Sequence, residues 1–269
     1  MSFHDNQSIQ VTSITLNVAD LAKMTTFYTQ ILGLSIKSES NRDVTFNIGS
    51  GGHTLTLQEV KDGRRPSIRE SGLFHIALLL PNRQDLGNFL YHAASLGVQI
   101  GGGDHLVSEA LYFDDPEGNG IEIYADRPKE NWLWEDNKVN MDTLAVDVDD
   151  LVAQRSKAGW QDMPDGAKIG HLHLKAANLE TSQDFYLNKL GLEHISDFPQ
   201  ALFMSTNYYH HHIAINTWQS NIVRQDNDSS LGLAKVSIYK PNADRAQFEG
   251  PEGFEIIIHS NESFVADKI

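Results

Sequence analysis

The chain has no cysteine, so a disulfide, a thiolate nucleophile and a sulfur-ligated metal site are all closed to it. Basic residues are scarce: 21 Lys and Arg stand against 36 Asp and Glu, a formal charge of −15 that repels phosphate backbones and anionic lipid. Nucleic acid and membrane surfaces are therefore not expected as partners. No run of about 18 apolar residues occurs, and Met1-Ser2-Phe3-His4-Asp5 opens with neither a basic patch nor an apolar stretch. These absences predict a soluble, cytoplasmic protein. At 269 residues the chain is long enough for two cores of ordinary domain size.

What the chain does have is repetition. Sliding it by 158 residues lays Val11, Leu16, Leu21, Phe27-Tyr28 and Leu32-Gly33-Leu34 onto Ile169, Leu174, Leu179, Phe185-Tyr186 and Leu190-Gly191-Leu192. Self-similarity over that length means duplicated units. In the first copy, alternation over Val11 to Val18 predicts a half-buried strand. Asp20, like Asn178 in the other copy, is placed to cap a helix whose apolar face is Leu21, Met24, Phe27, Tyr28 and Ile31. Gly33 and Gly191 are placed to stop those helices. Strands are then expected at 34–39, 43–48 and 54–60, which completes a βαβββ unit.

A second unit starts at Leu73-Phe74-His75-Ile76. Its helix is carried by Leu86, Phe89, Leu90, Ala93 and Leu96, and an Asp115-Pro116-Glu117-Gly118-Asn119 turn joins its last two strands. Residues 127–166, with Pro128 and three tryptophans, read as a connector with one short helix at most. A third unit runs from Ile169 to about Trp218. In the fourth, residues 231–242 match 73–82, and Gly250-Pro251-Glu252-Gly253 echoes the turn, but no room is left for a helix between Asn242 and Phe248. The predicted class is α+β: four βαβββ units, the fourth truncated, forming two open curled-sheet barrels. The expected division is 1–128, 129–166 as connector, and 167–269.

Four such units with Asp-Pro-x-Gly-Asn turns resemble the vicinal oxygen chelate superfamily, which holds glyoxalase I, extradiol dioxygenases and the fosfomycin and bleomycin resistance proteins. Within it, Gly72-Leu73-Phe74-His75, the Asp104-His105 to Tyr112 stretch and Tyr124-x-Asp126-Arg127-Pro128 resemble the bacterial catechol-2,3-dioxygenases. The resemblance implies that two units share one barrel and that metal ligands come from first and last strands. Those positions are Ser13, His75, His171 and Lys235, with Glu59, Glu122, Thr217 and Glu255. If units 1 and 2 pair, their barrel offers Ser13, Glu59, His75 and Glu122. If units 2 and 3 pair, it offers His75, Glu122, His171 and Thr217, which contains the two histidines and one carboxylate that leave open positions on Fe(II). Lys235 would then stand in for a metal between Glu59 and Glu255.

The resemblance further implies an acid-base histidine in a His-x-x-Ala context, matched by His211 to Ala214, and substrate-side partners matched by Tyr112 and His105. The expected activity is extradiol cleavage of a small aromatic diol by O2, with Fe(II), or Mn(II), held by His75, Glu122 and His171. Two alternatives stay open: a glyoxalase-type metal-dependent lyase or isomerase, and a non-catalytic binder of an aromatic ligand. The shortened fourth unit leaves strand edges that a homodimer would cover.

Overall fold

A computed structural model describes residues 3–260; residues 1–2 and 261–269, at the ends of the expected outer segments, lie outside the described residues. The first unit is β1 (Gln10–Val18), α1 (Leu21–Gln30), β2 (Ser35–Glu39), β3 (Asp43–Ile48) and β4 (His53–Glu59). The second is β5 (Gly72–Leu79), α2 (Arg83–Ser95), β6 (Gly101–Asp104), β7 (Ser108–Asp114) and β8 (Gly120–Asp126). The connector carries a small hairpin, β9 (Trp134–Glu135) and β10 (Lys138–Val139), and one short helix, α3 (Val148–Ala153). The third unit is β11 (Lys168–Lys175), α4 (Leu179–Gln183), β12 (Glu193–Phe198), β13 (Ala201–Ser205) and β14 (Ile213–Asn216). The fourth keeps β15 (Gly232–Tyr239), β16 (Ala246–Glu249) and β17 (Glu255–His259), with no helix between β15 and β16.

The units do not close sheets in chain order. β12-β13-β14-β11-β5-β8-β7-β6 is one eight-stranded sheet, and β16-β17-β15-β1-β4-β3-β2 is a seven-stranded one. Antiparallel pairing of β11 with β5 joins units 3 and 2, and antiparallel pairing of β1 with β15 joins units 1 and 4. The two curled sheets touch along β1 and β11, and a continuous apolar core runs between them and the helices.

Local signals act as their chemistry requires. Asp20 and Asn178 accept from the backbone N–H groups of Lys23 and Thr181, satisfying donors that the first helical turn leaves open. Gly33 and Gly191 end their helices at φ 68° and 90°. The helix after Asn178 is not uniformly α: residues 184–190 form a π-helical turn, whose buried Tyr186 donates to Glu252 across 2.8 Å. The Asp115 turn is tied back to unit 1, since Tyr28 donates to its carboxylate across 3.0 Å and Glu117 accepts from the N–H groups of Ala19 and Asp20. Glu252 repeats this device in unit 4, held by Ser182 and Tyr186 of unit 3.

Lys235, in the seven-stranded sheet, has one carboxylate partner where two were expected. Lys235 pairs with Glu255 at 2.7 Å, because register brings them opposite each other, whereas Glu59 lies at the solvent end of β4 beside Lys61 at 3.5 Å.

Candidate metal centre and active site

β-Bulges aim the central strands of the eight-stranded sheet. The β11–β5 register slips between Ile169 and His171, and again between the partners of His173 and Leu174, where Phe74 is the extra residue. Slips recur in the β1–β15 pair, between Val11 and Ser13 and between Thr15 and Leu16. Bulges re-aim side chains, and here they turn His171, His173, Phe74 and His75 into one cavity while Leu172 and Leu174 stay in the core. Gly170 permits the first bulge: a Cβ there would fall 1.8 Å from the Tyr124 hydroxyl oxygen. His4 braces the same point through a 2.7 Å hydrogen bond between Nε2 and the Gly170 carbonyl.

His171, Ala77 and Glu122 then stand in one row across β11, β5 and β8. Ala77 is small enough for the two longer side chains to meet over it. His171 Nε2 lies 3.1 Å from Glu122 Oε2, and His75 Nε2 lies 2.9 Å from the same oxygen. The three groups are buried and their donor atoms all fall within 4.8 Å of one another. His75 Nε2 is close to the carboxylate yet out of line for a hydrogen bond, which leaves it a buried nitrogen without a donor or acceptor. Cis donors at about 2.1 Å from an octahedral cation are roughly 3.0 Å apart, so these two spacings suit a shared divalent ion better than hydrogen bonding alone.

The electrostatics agree. Burial alone would raise the Glu122 carboxyl, but the neighbouring His171 and His75 hold it well below the usual carboxylate range. Burial pushes His171 down to about 4, against the pull of Glu122. A carboxylate and neutral imidazoles are the forms that ligate metals.

His211 packs against His171, with ring centroids 4.0 Å apart and ring planes inclined at 51°, and lines the same cavity. Its neighbours turn away: His212 Nε2 bonds the Phe3 carbonyl at 3.0 Å, and His210 Nε2 bonds Asp126 Oδ1 at 2.9 Å. All three are buried, although they precede β14 and sit in the turn that enters it. His210 Nδ1 also meets His211 Nδ1 at 2.8 Å. With His210 neutral and its Nε2–H given to Asp126, its Nδ1 can only accept, so His211 donates from Nδ1 and keeps a lone pair on Nε2. Burial, then the nearby His171, lowers the His211 pKa well below its ordinary value.

Across the cavity, Tyr112 faces Glu122 in register, and its hydroxyl lies 2.6 Å from His105 Nε2. His105 Nδ1 meets the Asp142 carbonyl at 2.9 Å, which directs the Tyr112 O–H toward the imidazole. Burial, then the charge of Glu122, raises the Tyr112 pKa well above 10. The cavity, of about 1140 Å³, is lined by all six singled-out residues: His75, His105, Tyr112, Glu122, His171 and His211. The five other ligand positions are elsewhere. Ser13, Glu59, Lys235 and Glu255 belong to the seven-stranded sheet, and Thr217 lies beyond the end of β14, its backbone N–H bonded to the Gln200 carbonyl.

Sequence patterns did not mark Met141, Asp142 and Thr143, which wall the cavity from the connector, nor Lys175 and Trp218. The period of β11, which already puts His173 on the His171 face, could have found Lys175 as well, since both alternate with core leucines; nothing local marks the connector residues.

The model of the Glyoxalase/Bleomycin resistance protein/Dioxygenase superfamily matches residues 10–123. A catechol-2,3-dioxygenase of Bacillus subtilis (strain 168) is 33 % identical over 246 residues, covering 90 % of this chain and 85 % of that protein. The chain belongs to this superfamily. Solved structures agree on the fold: a candidate dioxygenase from Bacillus subtilis superposes with TM-score 0.64 at 14 % identity, covering 94 % of this chain and 86 % of that one. Glyoxalase I from Zea mays gives 0.56 at 14 % identity, with 93 % and 92 % covered. The superfamily therefore accounts for both curled sheets, including the shortened one.

Proposed function

We propose that this superfamily member is a metal-dependent extradiol dioxygenase that cleaves a catechol-type aromatic diol next to its hydroxyl pair. The observation that carries the reading is the His75, Glu122 and His171 group with His211 packed against His171. In this reading His75, Glu122 and His171 would hold Fe(II), or Mn(II), beside a cavity with room for a diol and O2. Fe(II) bound there would lower the pKa of the diol and pass electrons from its ring to O2, which side chains cannot do.

His211 takes a proton from a diol hydroxyl at Nε2 and returns one later, as an imidazole with a single free lone pair can. Tyr112 and His105 form a hydrogen-bonded pair that orients the diol from the opposite wall. Phe74 and Trp218 exclude water from the ring. Both atoms of O2 end in the product, a ring-opened semialdehyde. The same reading takes 1–128, 129–166 and 167–269 as the segments of the chain, with units 2 and 3 sharing the metal-holding half-barrel.

The test is O2 consumption over a panel of catechols by protein reconstituted with Fe(II) under argon, run beside His171→Ala. O2 uptake with a coloured ring-cleavage product, lost in the variant, is the expected result. Bound metal without uptake would overturn the reading in favour of a lyase or a ligand-binding protein.

A further inference from the structure

Beyond the metal group, the cavity continues along β11. His171, His173 and Lys175 line it in turn, and alternate residues on a strand place the first and last Cα atoms about 13 Å apart. That span is longer than a single benzene ring. Between its ends lies an aromatic wall: Phe74 is 4.8 Å from His173 and 5.5 Å from Trp218, centroid to centroid, and His173 is 5.7 Å from Phe203. His173 is held by Asn216, whose Nδ2 donates to its Nε2 at 3.0 Å while Asn216 Oδ1 accepts from the backbone N–H of Trp218. The imidazole is thereby left with its proton on Nδ1.

Lys175 at the far end has only a long 3.4 Å contact to the Ile68 carbonyl, and among the described residues no carboxylate stands within ion-pair distance. Its surroundings are positive. Arg224 is buried and held by the carbonyls of Ser230 and Leu231 and by Asn227, not by an acid. Glu70, the acid whose field reaches both cations, is already clasped by Arg64 through two 2.8 Å bonds. Burial, then the charge of Arg224, lowers the Lys175 pKa. Glu122 apart, which belongs to the metal group, the acidic residues of the cavity are Asp114 and Asp142, from β7 and the connector, away from β11. In a chain of formal charge −15, an uncompensated cation at one end of an aromatic slot is a specific feature.

We propose that the substrate is a catechol bearing a carboxylate on a short side chain, with the diol at the metal group, the side chain along the aromatic wall and the carboxylate on Lys175. The proposal rests on the diol-binding reading above, and it makes Lys175 the residue that sets substrate choice. A charge-assisted bond at a half-buried ammonium discriminates strongly against a neutral isostere.

The experiment is calorimetric titration, under argon, of Fe(II)-loaded protein with 3-(3,4-dihydroxyphenyl)propionate and with its primary amide. The acid is expected to bind at least tenfold more tightly than the amide. Lys175→Met should bring that ratio to about one, and Lys175→Arg should retain most of it. Equal affinities in the native protein, no binding of the acid, or an unchanged ratio in Lys175→Met would each overturn the proposal. Because no turnover is needed, an intact ratio without O2 uptake on any catechol would sustain the anion site while sinking the ring-cleavage reading.

Discussion

The Nδ1 atoms of His210 and His211 lie 2.8 Å apart, a spacing at which one nitrogen must donate and the other accept. Asp126, which also accepts from Tyr209 at 3.3 Å, decides which. Truncating Asp126→Ala frees His210 to donate from Nδ1 to His211 Nδ1, which shifts the His211 proton to Nε2 and removes the lone pair expected to act as base. Turnover should fall roughly 10- to 100-fold with the bound metal unchanged, as steady-state rates and elemental analysis would show. Equal activity in the variant would disprove this control.

Metal binding should stabilise the fold, because the site joins strands from units 2 and 3. At a free Fe(II) or Mn(II) concentration about 100 times Kd, the gain is about 2.7 kcal/mol. For a chain of this size, that moves Tm by roughly 5–10 °C. Glu122→Ala should abolish the shift in a thermal melt. A variant that keeps it would place the ion elsewhere.

Glu252 is buried, and its carboxyl is pushed up to about 7 by burial, against the donated bonds of Ser182 and Tyr186. The folded state therefore holds a proton that the unfolded chain releases near 4.5, so this group's contribution falls as pH rises from 4.5 to 7. The loss approaches about 3 kcal/mol above pH 7. Glu252→Gln removes it, and the variant's stability relative to the native chain should improve by up to that amount between pH 5 and pH 8 in urea unfolding. Parallel pH profiles would refute the assignment.

Tyr28→Phe deletes the hydroxyl that donates to Asp115 and leaves a buried carboxylate short of one partner. A cost of about 1–3 kcal/mol is expected from denaturant midpoints. The turn before β8 carries Glu122 behind it, so weaker metal retention should accompany the loss. A substitution neutral on both counts would show that the turn holds without its tie to α1.

Much was legible in the chain because repetition and periodicity are local. The caps at Asp20 and Asn178, the glycine stops, the Asp115 turn and the missing fourth helix each depend on residues a few positions apart. His75, Glu122 and His171 could be singled out one by one, since each occupies a matching position in its own unit. Apolar patterns could not choose how the units pair, since two pairings leave the same patterns; only the ligand set favoured units 2 and 3, and the register of β5 on β11 is a tertiary fact. The aiming of side chains was equally hidden, since bulges break the period-two rule at Gly170 and Phe74. Likewise, the tautomer of His211 is decided by Asp126, and the open charge of Lys175 by where Arg64, Glu70 and Arg224 fold around it. Sequence alone determined which residues could do chemistry; long-range packing decided which of them meet.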